Sequence, residues 1–384
     1  MKKISARWRN LYTKAGFSSF MASLLAILCG LVVGFVVLLV ADPANAFWGL
    51  LAILTGGLSD MKNLGQVLYA ATPIILTGLS VGFANKTGLF NIGAPGQYLM
   101  GTMASLMIAL GIPSSAMPAG LIWVLAFVGG ILAGALWGAI PGILKAFLNI
   151  NEVLACIMTN WLAANIVTWA FDMSNFKNVT EGTKTAYVYK TTFNGVATPK
   201  LGLDKLFPNS QVNAGILIAI VFAIVMYVFI NKTTLGYELK TCGSNRHAAR
   251  YAGINDKRNI VLSIAGGLAG AGAALYWLSG NTEFYWSTYQ SLPGEGFNGI
   301  PVALLAVNNP IAVIFTGIFM AMLKIVGQNL TGYTAYNEYI TDVIIGVIVY
   351  LSAFSLVIRM WLEGKKKKAK PANDANAEKG GAKK

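Results

Sequence analysis

The chain has 384 residues, of which 55% are apolar and only 11% charged, and its formal net charge is +14. Soluble domains carry about 25% charged residues, and the apolar residues here fall in runs of roughly 20, enough to cross about 30 Å of hydrocarbon as helices. An ordinary soluble enzyme is excluded; the expected fold class is all-α, a polytopic transmembrane helical bundle of about ten spans.

The charge sits at the two ends. Residues 1–15 hold Lys2, Lys3, Arg7, Arg9 and Lys14 with no acid, and residues 363–384 hold eight lysines against Glu363, Asp374 and Glu378. Each end contributes +5, leaving +4 between them. Basic residues flanking spans mark the cytoplasmic side, so both termini are expected in the cytoplasm and the number of spans is expected to be even. The chain divides into a basic N-terminus (1–15), a transmembrane domain (16–362) and a basic disordered tail (363–384). The Lys365–Lys368 run reads as a solvated tail, and no nucleic-acid partner is expected.

In chain order, apolar runs predict spans over 16–40, 65–85, 92–112, 118–141, 153–171, 213–231, 259–279, 310–328 and 341–362. The first is too long for a signal-peptide core and is expected to remain as a span. Phe47–Leu58 is too short to cross and is expected in the interface. A further run, 296–306, bracketed by Gly296, Gly299 and Pro310, is expected as a short tilted or re-entrant helix. Counting from a cytoplasmic N-terminus places the polar loop 172–212 outside and the loop 232–258 inside. The inner loop carries Lys232, Lys240, Arg246, Arg250, Lys257 and Arg258 against Glu238 and Asp256. Within the spans, Gly130, Gly134, Gly138 and Gly142 recur every four residues, and Gly30 with Gly34 and Gly266 with Gly270 repeat the spacing. Such stripes let helix backbones approach closely in lipid.

Motifs for chemistry are scarce. Every Lys-Thr pair is preceded by Asn85, Thr183, Tyr189, Asn231 or Leu239 where a phosphate-binding loop needs Gly. The single His247 and the scattered Cys29, Cys156 and Cys242 form neither a metal set nor a disulfide framework. No enzyme activity and no cofactor in this chain are expected.

Three clusters stand out. Gly88-Leu-Phe-Asn91-Ile-Gly93-Ala-Pro95-Gly96-Gln97 predicts non-helical backbone at a membrane entry, either a tight turn or a turn lining a path. Asn151-Glu152-Val153, followed at helical spacing by Cys156 and Asn160, puts a carboxylate at a span end. Glu152 either caps the helix or faces an aqueous mouth, whereas Asn160 lies too deep for a cap. Lys324, near a span end, is expected to snorkel to the interface. In the inner loop, Ser244 or Asn245 can cap a short helix that Gly253 closes in the left-handed conformation. That helix would present Ala248, Ala249 and Tyr251 to a groove on another protein or act as a mere connector.

Read together, these residues resemble a known family. Thr72-Pro73 through Gly101, with its Asn91-Ile-Gly93-x-x-Gly96-Gln97 core, is similar to the membrane permeases of ABC importers for simple sugars and nucleosides, on the nucleoside-import side. So are Asn151-Glu152-Val153 with Met158 and Asn160, the inner-loop residues Gly243, Asn245, Ala248, Ala249, Tyr251 and Gly253, and the stretch Gly296–Leu305. The resemblance covers roughly 20–360, with one departure: Pro95 stands where the family usually has Glu. It implies a permease of a bacterial cell membrane that pairs with a second, related permease subunit. Two ABC ATPase subunits, which hold the ATP and Mg, would dock on a coupling loop of Gly243, Asn245, Arg246, Ala248, Ala249, Tyr251 and Gly253. An extracytoplasmic substrate-binding lipoprotein would deliver cargo. Asn91, Gln97, Asn151, Glu152 and Asn160 are the candidates for the translocation path. Amides suit a nucleoside or a simple sugar equally, and an ion-coupled secondary transporter is the competing class, disfavoured by spans nearly free of ionisable groups.

Overall fold

The computed structural model describes residues 15–173, 176, 187–188, 195–279, 284–285, 292–333 and 339–353. The basic N-terminus up to residue 14, the tail, and residues 174–194 of the outer loop apart from 176, 187 and 188 lie outside the described residues. The elements are α1 (Ala15–Ala41), α2 (Ala46–Thr55), α3 (Met61–Lys86), α4 (Ala94–Gly111), α5 (Ala119–Leu148), α6 (Glu152–Asp172) and α7 (Leu203–Leu206). They continue with α8 (Gly215–Lys232), α9 (Thr234–Ser244), α10 (Arg246–Tyr251), α11 (Asp256–Ile264), α12 (Leu268–Trp277), α13 (Gly294–Leu305), α14 (Pro310–Tyr333) and α15 (Tyr339–Ala353). Among the described residues the only strands are β1 (Tyr187–Val188) and β2 (Phe284–Tyr285), an antiparallel pair in register Tyr187 with Tyr285. The bundle is all-α as expected, apart from this two-residue ladder.

Seven helical stretches among the described residues are long and apolar enough to cross a membrane: within α1, α3, α5, α6, α8, the α11–α12 pair, and α14. Their burial divides them. α3 is buried along nearly its whole length and is the hub of the bundle, packed by α13, α14, α12 and α8. α1, α5 and α8 leave most of their apolar surface exposed, as outer helices do when their solvent is lipid. Asp60 caps α3, its carboxylate accepting from the Asn63 N–H at 2.6 Å.

The glycine stripe of α5 is a packing seam. A Cβ on Gly134 would lie 3.0 Å from the Gly270 Cα, and one on Gly142 3.0 Å from the Val261 Cα. Gly130 faces the carbonyls of Gly101 and Gly270, each 3.3 Å from such a Cβ. Gly101 on α4, Gly130 and Gly134 on α5 and Gly270 on α12 thus meet at one three-helix junction. Gly34 plays a similar part where α1 packs on Ile344 of α15.

Two expectations change. The run 259–279 is not one helix: it breaks at 265–267, between α11 and α12, with Gly267 at φ +67°. Gly266 lies in this break, and only Gly270 of that pair joins the close packing. Lys324 does not snorkel. Its ammonium turns inward to Glu295, 2.5 Å away, and the two side chains are 27% and 14% exposed. Pairing inside the bundle costs less than leaving the Glu295 carboxylate alone there.

The short segment 296–306 falls almost wholly within the short helix α13. α13 begins deep in the bundle, where Gly296 lies against Pro95 and Gly299 against Thr77 and Gly78, and the Thr77 hydroxyl donates to the Glu295 carbonyl at 3.1 Å. From there it runs alongside α3 to Asn308, whose side chain accepts from Asn85 at 2.9 Å. α2 packs Ala46, Gly49 and Ile53 inward and leaves Phe47, Trp48, Leu51 and Leu54 exposed, as an interfacial segment would.

Candidate functional site

Two non-helical segments inside an apolar bundle need partners for their backbone groups, and the predicted amides supply them. Asn160, one side chain of α6, grips the turn before α4 at both ends: Nδ2 donates to the Ile92 carbonyl and Oδ1 accepts from the Gly96 N–H, each at 2.9 Å. Asn91 Oδ1 accepts from the Gly93 N–H at 2.9 Å. Gln97 Nε2 donates to the Ile264 carbonyl at 3.1 Å, where α11 breaks, and Ser80 Oγ donates to Gln97 Oε1 at 3.4 Å. Asn91, Gln97 and Asn160 are all buried, so in this conformation they brace the break and the turn. Asn91 Nδ2 is buried with no partner among the described residues. Pro95, in place of the expected Glu, is buried in the first turn of α4, a position that needs no N–H donor.

The pair at the start of α6 divides its work differently from expectation. Asn151 is the cap, its Oδ1 accepting from the N–H groups of Val153 and Leu154 at 2.9 and 3.2 Å. Glu152 instead pairs with Lys145 of α5 at 2.9 Å. These two residues stand apart from the Asn91–Gln97–Asn160 group, at the end of α6 nearest the inner loop.

The inner loop folds as the capping residues predict. The Asn245 side chain accepts from the Ala248 N–H at 3.0 Å and opens α10, and Gly253 at φ +79° closes it. α9 precedes it and is capped by Thr233. Within α10 the faces are unequal: Ala249 is buried, whereas Tyr251 is 95% exposed. Asp256 holds the loop shut, accepting from Arg246 Nε at 2.7 Å and Arg250 Nη2 at 2.8 Å. The Asp256 hydrogen bond raises the Arg250 pKa above its ordinary value. Gly243 lies directly on the end of α3, so close that a Cβ there would be 3.0 Å from the Thr87 carbonyl carbon. Between α5 and α10 runs a cleft of about 360 Å³ lined by Lys145, Asn149, Arg246, His247 and Arg250.

Removing the Asp256 charge is expected to loosen this loop without unfolding the bundle. In Asp256→Asn, amide hydrogen exchange across Arg246–Tyr251 should quicken about tenfold, the cost of weakening two charge-assisted bonds, while the protection of α3 stays unchanged. Equal exchange in both proteins would show that Asp256 does not hold the loop.

Residues 63–353 match the family of the branched-chain amino acid transport system permease component. The chain belongs to that family. It is 34% identical over 353 residues to the guanosine ABC transporter permease protein NupP of Bacillus subtilis, covering 91% of this chain and 98% of that one. It is 34% identical over 359 residues to the nucleoside ABC transporter permease protein NupB of Lactococcus lactis, covering 93% and 96%. The glucose ABC transporter permease protein TsgB13 of Haloferax volcanii is 33% identical over 316 residues, 79% of each chain. A second permease protein from each of the first two organisms, NupQ and NupC, also matches, at 27% and 26% identity. No solved structure matches. The permease is therefore a multi-pass membrane protein that works as a subunit of an ABC transporter.

Glu295 is the residue that sequence reasoning missed. Its signal was present: an acid two residues after Pro293, opening a helix too short to cross, with one lysine available in the following span.

Proposed function

We propose that this permease is the membrane subunit of an ATP-driven nucleoside importer in a bacterial plasma membrane, and that α10 is where its motor docks. The observation that carries this reading is α10 itself. A six-residue helix, capped at both ends and pinned by Asp256, projects Tyr251 into the surroundings, and the helix directly before it, α9, rests through Gly243 on the end of α3. A connector needs none of that construction. The basic cleft beside it suits acidic groups of an ABC ATPase pair, which supplies ATP and Mg chemistry absent from the sequence motifs. A second, related permease subunit completes the path, in keeping with relatives that occur as two permease proteins in one organism. A lipoprotein delivers substrate outside.

Topology on this reading has both termini inside and ten crossings: α1, α3, α4, α5, α6, α8, α11–α12, α13, α14 and α15. The inner loop, with α9 and α10, then faces the cytoplasm. Asn91, Gln97 and Asn160 form a latch between the turn at Gly93 and the broken helix. Movement of α10 passes through Gly243 to α3 and opens that latch toward the inner mouth at Asn151 and Glu152. Nucleosides are favoured as cargo over sugars because the relatives covering more than nine tenths of this chain carry guanosine and nucleoside names.

Among the described residues, the half-buried Lys324–Glu295 pair is a feature that an ion-coupled carrier would also use. Reconstitution separates the two. Proteoliposomes holding both permeases, the ATPase and the binding lipoprotein should accumulate labelled guanosine and uridine only with ATP inside the ATPase-facing compartment. Unlabelled nucleosides should compete and ribose should not. Uptake by this chain alone, driven by a proton or sodium gradient, would overturn the reading; ribose competing as well as adenosine would overturn the cargo.

A further inference from the structure

On the face of the bundle opposite the inner loop lies a polar cavity of about 330 Å³, within the size range of small-molecule sites. Its walls include Lys62, Gln66 and Tyr69 of α3, Gln211 before α8, Tyr276 of α12 and Lys324 of α14. These come from four separate parts of the chain and converge on one space. The wall groups differ in how far they are already engaged. The Tyr69 hydroxyl donates to the Tyr276 carbonyl at 2.8 Å and contacts Ser279. The Gln66 and Gln211 carboxamides have no side-chain hydrogen bond among the described residues. Lys324 spends one N–H on Glu295, and an ammonium has three.

No carboxylate lines the cavity; Glu295 lies behind Lys324 and neutralises it. The site is therefore close to neutral at its floor and rich in amides. It also contains a stacked aromatic pair, Tyr69 and Tyr276, with ring centroids 4.8 Å apart and planes 19° apart. An anion would find Lys324 already paired with Glu295 and, besides it, only Lys62, which is exposed. A metal would find no ligand set. A neutral planar solute that carries adjacent donors and acceptors fits all three features: carboxamides pair with base edges, phenol rings with base faces, and the remaining Lys324 protons with a carbonyl oxygen or ring nitrogen.

We infer that this cavity is the outward-facing subsite of the permease, in which Gln66, Gln211 and Lys324 read the base of an incoming nucleoside before the path opens. The inference rests on the importer reading above and adds to it a location and a selectivity device in this chain. The residues involved are remote from the amide latch, so cargo would be handed from the polar cavity to the latch as the bundle rearranges. Glu295, at the start of α13, joins the two places: its side chain holds Lys324 at the cavity floor, and its carbonyl accepts from Thr77 deep in α3.

The test uses the complete importer in proteoliposomes, with guanosine and uridine as labelled probes. Gln66→Ala, Gln211→Ala and the double variant are measured beside Lys205→Ala, a control on the exposed helix α7. Each single variant should raise the guanosine concentration giving half-maximal uptake by about tenfold, the loss of one ligand hydrogen bond to a buried edge, and should narrow the preference between guanosine and uridine. Gln66→Glu, which keeps length but loses the amide donor, separates recognition from packing: it should alter base preference even where maximal uptake is retained. Unchanged half-saturation and base preference in both alanine variants, with uptake still ATP-driven, would overturn the subsite and leave the importer reading standing. Absence of ATP-driven nucleoside uptake in the unaltered complex would instead overturn that reading.

Discussion

Tyr251→Asp is expected to abolish ATP-driven uptake while leaving the permease inserted and folded. Tyr251 is 95% exposed on α10 and supports nothing inside its own chain, so its replacement removes contact area from a partner and little else. Exposed aromatic anchors dominate protein interfaces, and losing one costs about 2 kcal/mol, or roughly thirtyfold in affinity. Placing a carboxylate there adds a desolvation cost. Uptake should fall at least to that extent, with complex assembly measured by co-purification of the ATPase. Tyr251→Phe should keep most of the activity because the ring is retained. Full transport by Tyr251→Asp would remove α10 as the docking element. Ala249 makes a poor probe of docking by comparison: it is buried beneath the helix, and a large residue there would disrupt the loop from within.

Gly270→Leu is expected to prevent the bundle from closing. A Cβ at this position would overlap the Gly130 carbonyl oxygen and lie 3.2 Å from the Gly134 Cα, against backbone that no rotamer change can move. Overpacking a tight core costs about 3 kcal/mol, and here it forces apart α4, α5 and α12 together. The detergent-solubilised variant should lose its monodisperse peak on size exclusion and unfold well below the parent in a thermal scan. Gly120→Leu, where a Cβ meets nothing within 4 Å, is the matched control. Equal thermal stability of the two variants would show that the junction tolerates expansion.

The sequence made some of these features easy to foresee and hid others, for physical reasons. Asn245 and Gly253 announced α10 because caps act through local hydrogen bonds and backbone angles, both written in neighbouring residues. The stripe Gly130–Gly142 announced a close helix contact because four-residue spacing fixes one face. What that face met was not legible: the Gly101 and Gly270 partners come from distant helices. The break at 265–267 was hidden by composition, since hydropathy averages over a Gly-Gly pair among apolar neighbours. Lys324 misled because its position near a span end suits snorkelling, and only tertiary packing reveals Glu295 within reach. The roles of Asn91, Gln97 and Asn160 were half visible. Amides at a membrane entry signal non-helical backbone, yet whether they face a path or hold the chain depends, for Asn160 and Gln97, on backbone groups 64 to 167 residues away in sequence.

The contact between Gly243 and Gly88 bears on how force travels through the protein. Each glycine faces the other's backbone, with a Cβ on Gly88 only 3.4 Å from the Gly243 carbonyl oxygen. Side chains at such a joint would act as springs, absorbing small displacements by hopping between rotamers. Two bare backbones have no such compliance. A shift of the inner loop is delivered to the end of the central helix almost without slack, so the joint sets the stiffness of the linkage between motor and bundle. A methyl group added at Gly243 would overlap the Lys86 carbonyl oxygen, so the loop and the end of α3 would have to part and the linkage would lose its stiffness.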